Sequence, residues 1–358
     1  MLNARAAIVA LQEYHPPLGD RSGLRLDFNE NTVGASPNCL RRLRDLSLED
    51  LARYPAREPV EREVASFLGI RSEQALLTNG VDEGIRLLCE TYLEAGDEAI
   101  IVAPTFAMYE ISASETGARV VAVPAEKDFI FPLAGILAAV SPRTKMIAIA
   151  NPNNPTGTVA SAEELLQIAK AASQAVILVD EAYYEFFGES LLGSISSVPN
   201  LFVARTFSKA YGLAGLRVGV LVGPEVQMRM VRRACSPYNV NAVALALLPV
   251  ALADTAYVSR YVAETRRGRK RLEDALHKCG IPYCPSQANF VLANIGAVHK
   301  EFVRGMHQRG ILVRDRSSDP GCDGWVRITL GVEAQTDRLL GALTEILQEM
   351  KTTAEAAR

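Results

Sequence analysis

The 358-residue sequence lacks several features, and each shortage removes a class of function. Its six cysteines show no CxxC spacing, which argues against a zinc site and for inert free thiols. Scattered thiols of this kind fit a reducing cytoplasm. The chain carries 38 basic and 41 acidic side chains, a net charge of −3, so no overall field draws it to nucleic acid or to an anionic membrane. No stretch approaches the ~18 uninterrupted apolar residues of a membrane span. The opening MLNARAAIVALQEYH has a short apolar run without a small-residue cleavage site, so no secretory leader is expected. One basic run stands out, Arg266, Arg267, Arg269, Lys270 and Arg271. It sits in a helix-like polar stretch and reads as a solvated face.

What the chain has in plenty is apolar sequence, 49% of it, enough for a sizeable core and about two domains. Between residues 75 and 223, short apolar runs alternate with amphipathic stretches. The runs are ALLTN (75–79), EAIIVA (98–103), RVVAV (119–123), KMIAIA (145–150), AVILVD (175–180), LFVAR (201–205) and VGVLV (218–222). Several are apolar throughout, as strands covered on both faces are. Among the intervening stretches, SAEELLQIAKAASQ (161–174) opens with a capping box, Ser161 and Glu164. The pattern predicts an α/β fold around a mostly parallel seven-stranded sheet. From about 224 the texture becomes long helices with two further strands, NFVLANI (289–295) and WVRITLG (325–331), and a last helix over 335–350. The expected division is an N-terminal arm (1–30) belonging to a small domain, a large domain (31–245), and the smaller α+β domain itself (246–358).

In open parallel sheets ligands bind at the carboxyl ends of strands, and the polar clusters fall there. The first run leads into Gly80-Val81-Asp82-Glu83 at a helix start, where backbone N–H groups suit a phosphate. The fourth leads into Asn151-Pro-Asn-Asn154-Pro-Thr-Gly157, turn chemistry that places an amide at Asn154. The fifth ends in Asp180 with Tyr183 beyond it, and the sixth leads into Thr206, Ser208 and Lys209, with Arg217 eight residues later. A lone lysine here would usually be a surface residue. An amine, two hydroxyls and a fixed cation together suit a carbonyl cofactor carrying a phosphate. Asp180, alone, would usually be a cap, but a carboxylate there can keep a pyridine nitrogen protonated. Phe106, after the second run, supplies a face for ring stacking.

Taken in order, Pro-Asn-Asn-Pro-Thr-Gly (152–157), Asp-Glu-Ala-Tyr (180–183) and Arg-Thr-Phe-Ser-Lys-Ala-Tyr-Gly-Leu-Ala-Gly-Leu-Arg (205–217) resemble the fold-type I aminotransferases that use pyridoxal phosphate. The branch resembled is that of the histidinol-phosphate aminotransferases. Leu-Asp-Phe-Asn-Glu-Asn (26–31), Arg-Tyr-Pro (53–55), Pro-Thr-Phe-Ala-Met-Tyr (104–109), Gly-Ile-Leu-Val-Arg-Asp (310–315) and Val-Arg-Ile-Thr-Leu-Gly (326–331) extend the likeness nearly end to end. The resemblance implies that Lys209 carries the cofactor and that Thr206, Ser208, Arg217 and the amides of Val81 and Asp82 hold its phosphate. It implies that Asp180 pairs with the ring nitrogen, that Asn154 and Tyr183 bond the phenolate oxygen, and that Phe106 stacks on the ring. It further implies a homodimer in which Tyr54 reaches the neighbour's cofactor phosphate. Arg327 would grip the anionic end of the substrate, with Arg314, Tyr14 and Asn154 around it. No metal is expected. The implied reaction passes an amino group from histidinol phosphate to 2-oxoglutarate. An aromatic or broad-specificity aminotransferase, a decarboxylase of a phosphorylated amino acid, and a non-catalytic ligand-binding protein are the rival readings.

Overall fold

The computed structural model describes residues 2–13 and 22–356. All seven apolar runs become strands of one sheet. They are β1 (Ala75–Thr78), β2 (Glu98–Ala103), β3 (Arg119–Pro124), β4 (Thr144–Ala150), β5 (Val176–Asp180), β6 (Leu201–Thr206) and β7 (Gly219–Val222). Their spatial order is β1-β7-β6-β5-β4-β2-β3. Neighbours run parallel except around β7, which is antiparallel to both β1 and β6.

Side-chain alternation explains the layering. In β5, Ile177 and Val179 join one apolar core while Val176 and Leu178 join the other, on the opposite face of the sheet. With both faces covered, β1, β5, β6 and β7 are buried at every position. The edge strand β3 keeps exposed residues. Ser161 and Glu164 form the expected reciprocal cap at the start of the helix Ala162–Ala171.

A second, antiparallel sheet follows, of β8 (Tyr283–Cys284), β9 (Phe290–Asn294), β10 (Arg314–Asp315) and β11 (Trp325–Thr329), in the order β10-β11-β9-β8. Leu24–Arg25 of the N-terminal arm pairs in parallel with Ile311–Leu312. Leu26 joins Leu272, Phe302, Ile328 and Leu343 in a third core. The last helix runs over Glu333–Ala356, longer at both ends than its apolar periodicity indicated. The 24-residue helix Thr255–Lys278 links the two parts. Its basic run is solvated at Arg267, Lys270 and Arg271, the last two paired with Asp274 and Asp337. Arg266 is exposed as expected, and Arg269 departs from that reading by being half-buried. They donate to the carbonyls of Phe186 (3.0 Å) and Ala288 (2.9 Å), tying the helix to both parts of the chain. Among the described residues no single helix is long and apolar enough to cross a membrane.

The loop after β4 is fastened to the second sheet's approach. Gln287 N–H donates to the carbonyl of Gly157 at 2.8 Å. Gly157 has φ +75°, and a Cβ there would sit 2.1 Å from Ser286 Oγ. Both the backbone sign and the close approach require glycine. Gly157→Ala is expected to lose about 1–3 kcal/mol of stability, read as a lower urea midpoint. An unchanged midpoint would show that the loop is not held there.

Candidate active site

Parallel strands end on one edge, and the single antiparallel strand adds to that edge rather than spoiling it. Gly219 of β7 lies opposite Thr78 at the end of β1 and opposite Thr206 at the end of β6. Arg217, two residues before Gly219, therefore arrives beside residues that follow β1 and β6. This edge borders a cavity of about 940 Å³. Lys209, Val81, Asp82, Phe106, Asn154, Asp180, Tyr183, Thr206, Ser208, Arg217, Arg314 and Arg327 all line it.

Asp180 ends β5 and is 4% exposed. Its Oδ2 accepts from Tyr109 Oη at 2.7 Å and its Oδ1 from the Ala182 N–H at 3.1 Å. Burial pushes its carboxyl up to about 6, against those two hydrogen bonds, which lower it. No ion pair of Asp180 occurs among the described residues, although this carboxylate is nearly sealed. Tyr183 is also buried, edge-on to Phe290, and its hydroxyl accepts from Asn29 Nδ2 at 2.9 Å. Phe106 meets Tyr109 edge-on, with centroids 5.8 Å apart.

Lys209 Nζ donates to the Phe28 carbonyl at 3.0 Å. Burial, and then the positive charge of Arg327, bring its amine down to about 8. Near neutral pH that leaves a larger neutral fraction than a solvated lysine has, as a nucleophile requires. At the other end of the cavity, the 13-residue helix Gly80–Tyr92 begins with Gly80 at φ +75°. A Cβ on Gly80 would fall 2.5 Å from Arg217 Nη2. Arg217 itself holds a left-handed φ of 53° and pairs with Asp82 at 2.9 Å. Such a conformation in a non-glycine residue costs on the order of 1–3 kcal/mol and is kept where the surroundings enforce it. Ser208 N–H donates to Thr206 Oγ1 at 3.1 Å, closing the turn that precedes Lys209.

The loop over 151–157 is set by its own amides. Asn151 bonds both ways with Ala160, and Asn153 bonds Thr105, Pro104 O and Thr156. Asn154 is left to the cavity. Its Oδ1 accepts from Arg327 Nη1, so the donor side of the amide is what it offers a ligand. Arg327 also donates to the Asp27 carbonyl at 2.6 Å, and burial lowers its guanidinium to about 10. Arg314 stands directly opposite Arg327 across β10 and β11. Its guanidinium lies 5.7 Å from the centre of the Phe28 ring.

Two residues named from the sequence stand apart. Tyr54 is 79% exposed and stacked on Tyr238, 4.4 Å between centroids, away from its own chain's cavity. Tyr14 lies outside the described residues.

The aminotransferase class I and II family model matches residues 21–343. A histidinol-phosphate aminotransferase of Moorella thermoacetica is 34% identical, over 96% of this chain and 92% of that one. Histidinol-phosphate aminotransferase 2 of Pseudomonas fluorescens is 36% identical, over 92% and 90%. Among solved structures, that of the Sinorhizobium meliloti histidinol-phosphate aminotransferase with pyridoxal-5'-phosphate superposes with a TM-score of 0.88 at 26% identity, covering 98% and 99%.

The chain belongs to the class I and II aminotransferases. Its fold is fold type I of the enzymes that use pyridoxal phosphate. The aminotransferase cavity fits that cofactor by its own chemistry. Asp180 is a nearly buried carboxylate for which a protonated pyridine nitrogen is the missing cation. Lys209 is an amine with a lowered affinity for protons, and a helix N-terminus with Arg217 and Ser208 provides a phosphate cradle.

Three site residues were not picked out from sequence. Tyr109 was visible only as part of a motif, with nothing to say that its hydroxyl meets Asp180. Asn29 joins Tyr183, Thr329 and Asn289, three segments far apart in the chain. Phe28 contributes a carbonyl, which no side-chain pattern can reveal. Asn29 did carry one weak signal, an asparagine within Phe-Asn-Glu-Asn. Its φ of 55° is the left-handed region that asparagine tolerates better than most residues.

The Asp180 carboxyl keeps its proton to about pH 6 in the folded chain, against 3.8 as its ordinary value. Folded protein thus binds the extra proton between those values, and stability falls as pH rises through that window. Without cofactor, Asp180→Asn is expected to melt above the wild type at pH 7.5 and level with it near pH 3.5. With cofactor it is expected to lose most turnover. A variant no more stable than wild type at pH 7.5 would mean that the carboxylate is already compensated.

Proposed function

We propose that this aminotransferase carries the amino group of L-histidinol phosphate to 2-oxoglutarate, giving imidazole acetol phosphate and L-glutamate, the transamination of histidine biosynthesis. One observation supports substrates that are anionic in both half-reactions. Arg314 and Arg327 face each other across antiparallel strands at the cavity wall. Like charges in that position repel, and an anion between them turns the repulsion into attraction. Guanidinium accepts a phosphate and a carboxylate alike, so one pair serves both half-reactions. The names of the relatives support the same reading.

Bound here, pyridoxal phosphate supplies an aldehyde that condenses with amines and a ring that accepts electrons. Lys209 would hold it and, once released, would carry the proton from the substrate's amino-bearing carbon to the cofactor carbon that had been the aldehyde. Asp180 keeps the ring nitrogen protonated, and Tyr109 fixes the Asp180 carboxylate. Tyr183 and the Asn154 amide bond the phenolate oxygen, and Phe106 covers a ring face. Thr206, Ser208, Arg217 and the Val81 and Asp82 amides hold the phosphate. A donor survey against 2-oxoglutarate tests the substrate. Histidinol phosphate should exceed phenylalanine, tyrosine and histidine in kcat/KM by at least about 100-fold, the worth of two charge-assisted bonds. A flat survey would favour the broad-specificity reading, and carbon dioxide release without an oxoacid would indicate a decarboxylase.

The proposal includes a cytoplasmic homodimer. The dimer is supported by the exposed large apolar side chains Leu40, Leu43, Leu48, Leu51, Tyr54 and Tyr238. Four exposed leucines within residues 40–51, followed by Tyr54 stacked on Tyr238, are more than an isolated exposed side chain and suit a docking surface. In a two-fold dimer each Tyr54 would complete the other chain's phosphate cradle. Tyr54→Phe is then expected to weaken cofactor binding by about 1 kcal/mol. Mixing Tyr54→Phe with Lys209→Ala chains should restore one site of wild-type affinity per heterodimer, because the surviving lysine faces an intact tyrosine. If the heterodimer binds no tighter than the Tyr54→Phe homodimer, Tyr54 does not act across the interface.

A further inference from the structure

The second sheet brings a third arginine to the cavity beside the facing pair. In Arg314-Asp315-Arg316, alternate residues of an extended strand share a face. Arg316 prolongs the ladder, its N–H donating to the Trp325 carbonyl at 2.9 Å. Arg316 therefore stands on the face of Arg314, and both line the cavity with Arg327. Asp315 also borders the cavity, but its carboxylate is engaged, with Oδ2 3.1 Å from His299 Nδ1 and Oδ1 accepting from Ser317 Oγ at 2.6 Å.

The donors still available decide what this face can hold. Arg327 spends Nη1 on Asn154 and Nη2 on the Asp27 carbonyl, and its sealed Nε has no acceptor among the described residues. Arg316 is ion-paired through Nη2 to Asp319, with side chains 15% and 19% exposed. Its Nε is sealed, which leaves Nη1, with no partner among the described residues, as the donor it can offer a ligand. A carboxylate brings two oxygens and one charge, whereas a phosphate ester brings three oxygens and nearly two charges.

We infer that Arg316 is the specificity-determining residue that separates a phosphate-bearing substrate from a carboxylate-bearing one. It supplies the donor and the charge that the third phosphate oxygen needs, while Asp319 holds its guanidinium in place. The inference deepens the substrate reading proposed above and rests on it.

The test uses holoenzyme and two probes of similar length, propyl phosphate and butyrate, titrated by calorimetry. Arg316→Gln should weaken propyl phosphate about 10- to 100-fold and butyrate by less than about 3-fold, since one charge-assisted bond is lost from the dianion alone. Arg316→Lys, which keeps the charge without the fork, should fall between the two. In single half-reactions, Arg316→Gln should slow the phosphorylated donor in the same proportion and leave 2-oxoglutarate within about 3-fold. The visible cofactor absorbance should be unchanged in both variants. Wild-type enzyme that ignores propyl phosphate and phosphorylated donors would overturn the substrate reading and this one together. Wild type that takes phosphorylated donors, with variants that lose nothing or lose both probes equally, would overturn the role of Arg316 alone.

Discussion

Burying a carboxylate without a cation is costly, and this chain does so at the end of β5. Asp180 lies under the cavity with a tyrosine hydroxyl and one backbone N–H as its partners. A neutral side chain would pack there at less cost. In the proposed reading a positively charged ring atom lies against it, and the other cavity residues are arranged around that atom. Phe106 and Tyr183 border the space a ring would fill, and Lys209 and the helix at Gly80 stand at its two functional ends. Stability of the cofactor-free chain is thereby traded for affinity. The left-handed Arg217 and the lowered amine of Lys209 are local costs of the same kind.

Much of this was legible in the sequence because the large sheet is built from local signals. Runs buried on both faces give a continuous apolar pattern, and polar residues at their carboxyl ends fall on one edge by topology alone. The seven strands and the capping box at Ser161 required no knowledge of distant contacts. The orientation of β7 was not legible. An apolar run of four residues reads the same in either direction, and only its register with Thr78 and Thr206 shows that Arg217 enters the cavity from the opposite sense.

What escaped the sequence has a common cause. Tyr109 against Asp180, Asn29 against Tyr183 and Phe28 against Lys209 pair residues 71, 154 and 181 positions apart. Each depends on where two elements meet in space, and composition and spacing carry no trace of that. Arg269 departs from a purely solvated face for a related reason. Charge on a helix face normally seeks water, but a guanidinium can also cap carbonyls of a neighbouring segment while its stem covers apolar surface.

The contacts that were hardest to read are also the ones that join the two parts of the molecule. Arg327 belongs to β11, yet it bonds Asn154 at the end of β4 and Asp27 of the N-terminal arm. Asn29 of that arm holds Thr329 of β11 with one atom and Tyr183 of the large domain with another. The groups proposed to grip the substrate and those proposed to hold the cofactor are therefore not independent. Any movement of β11 relative to the large sheet changes the environment of Asn154 and Tyr183 together. An anion drawn between Arg314 and Arg327 pulls on the same strand pair that positions these hydrogen bonds. In the proposed reading, substrate charge would thus act on Asn154 and Tyr183 through a few packed residues.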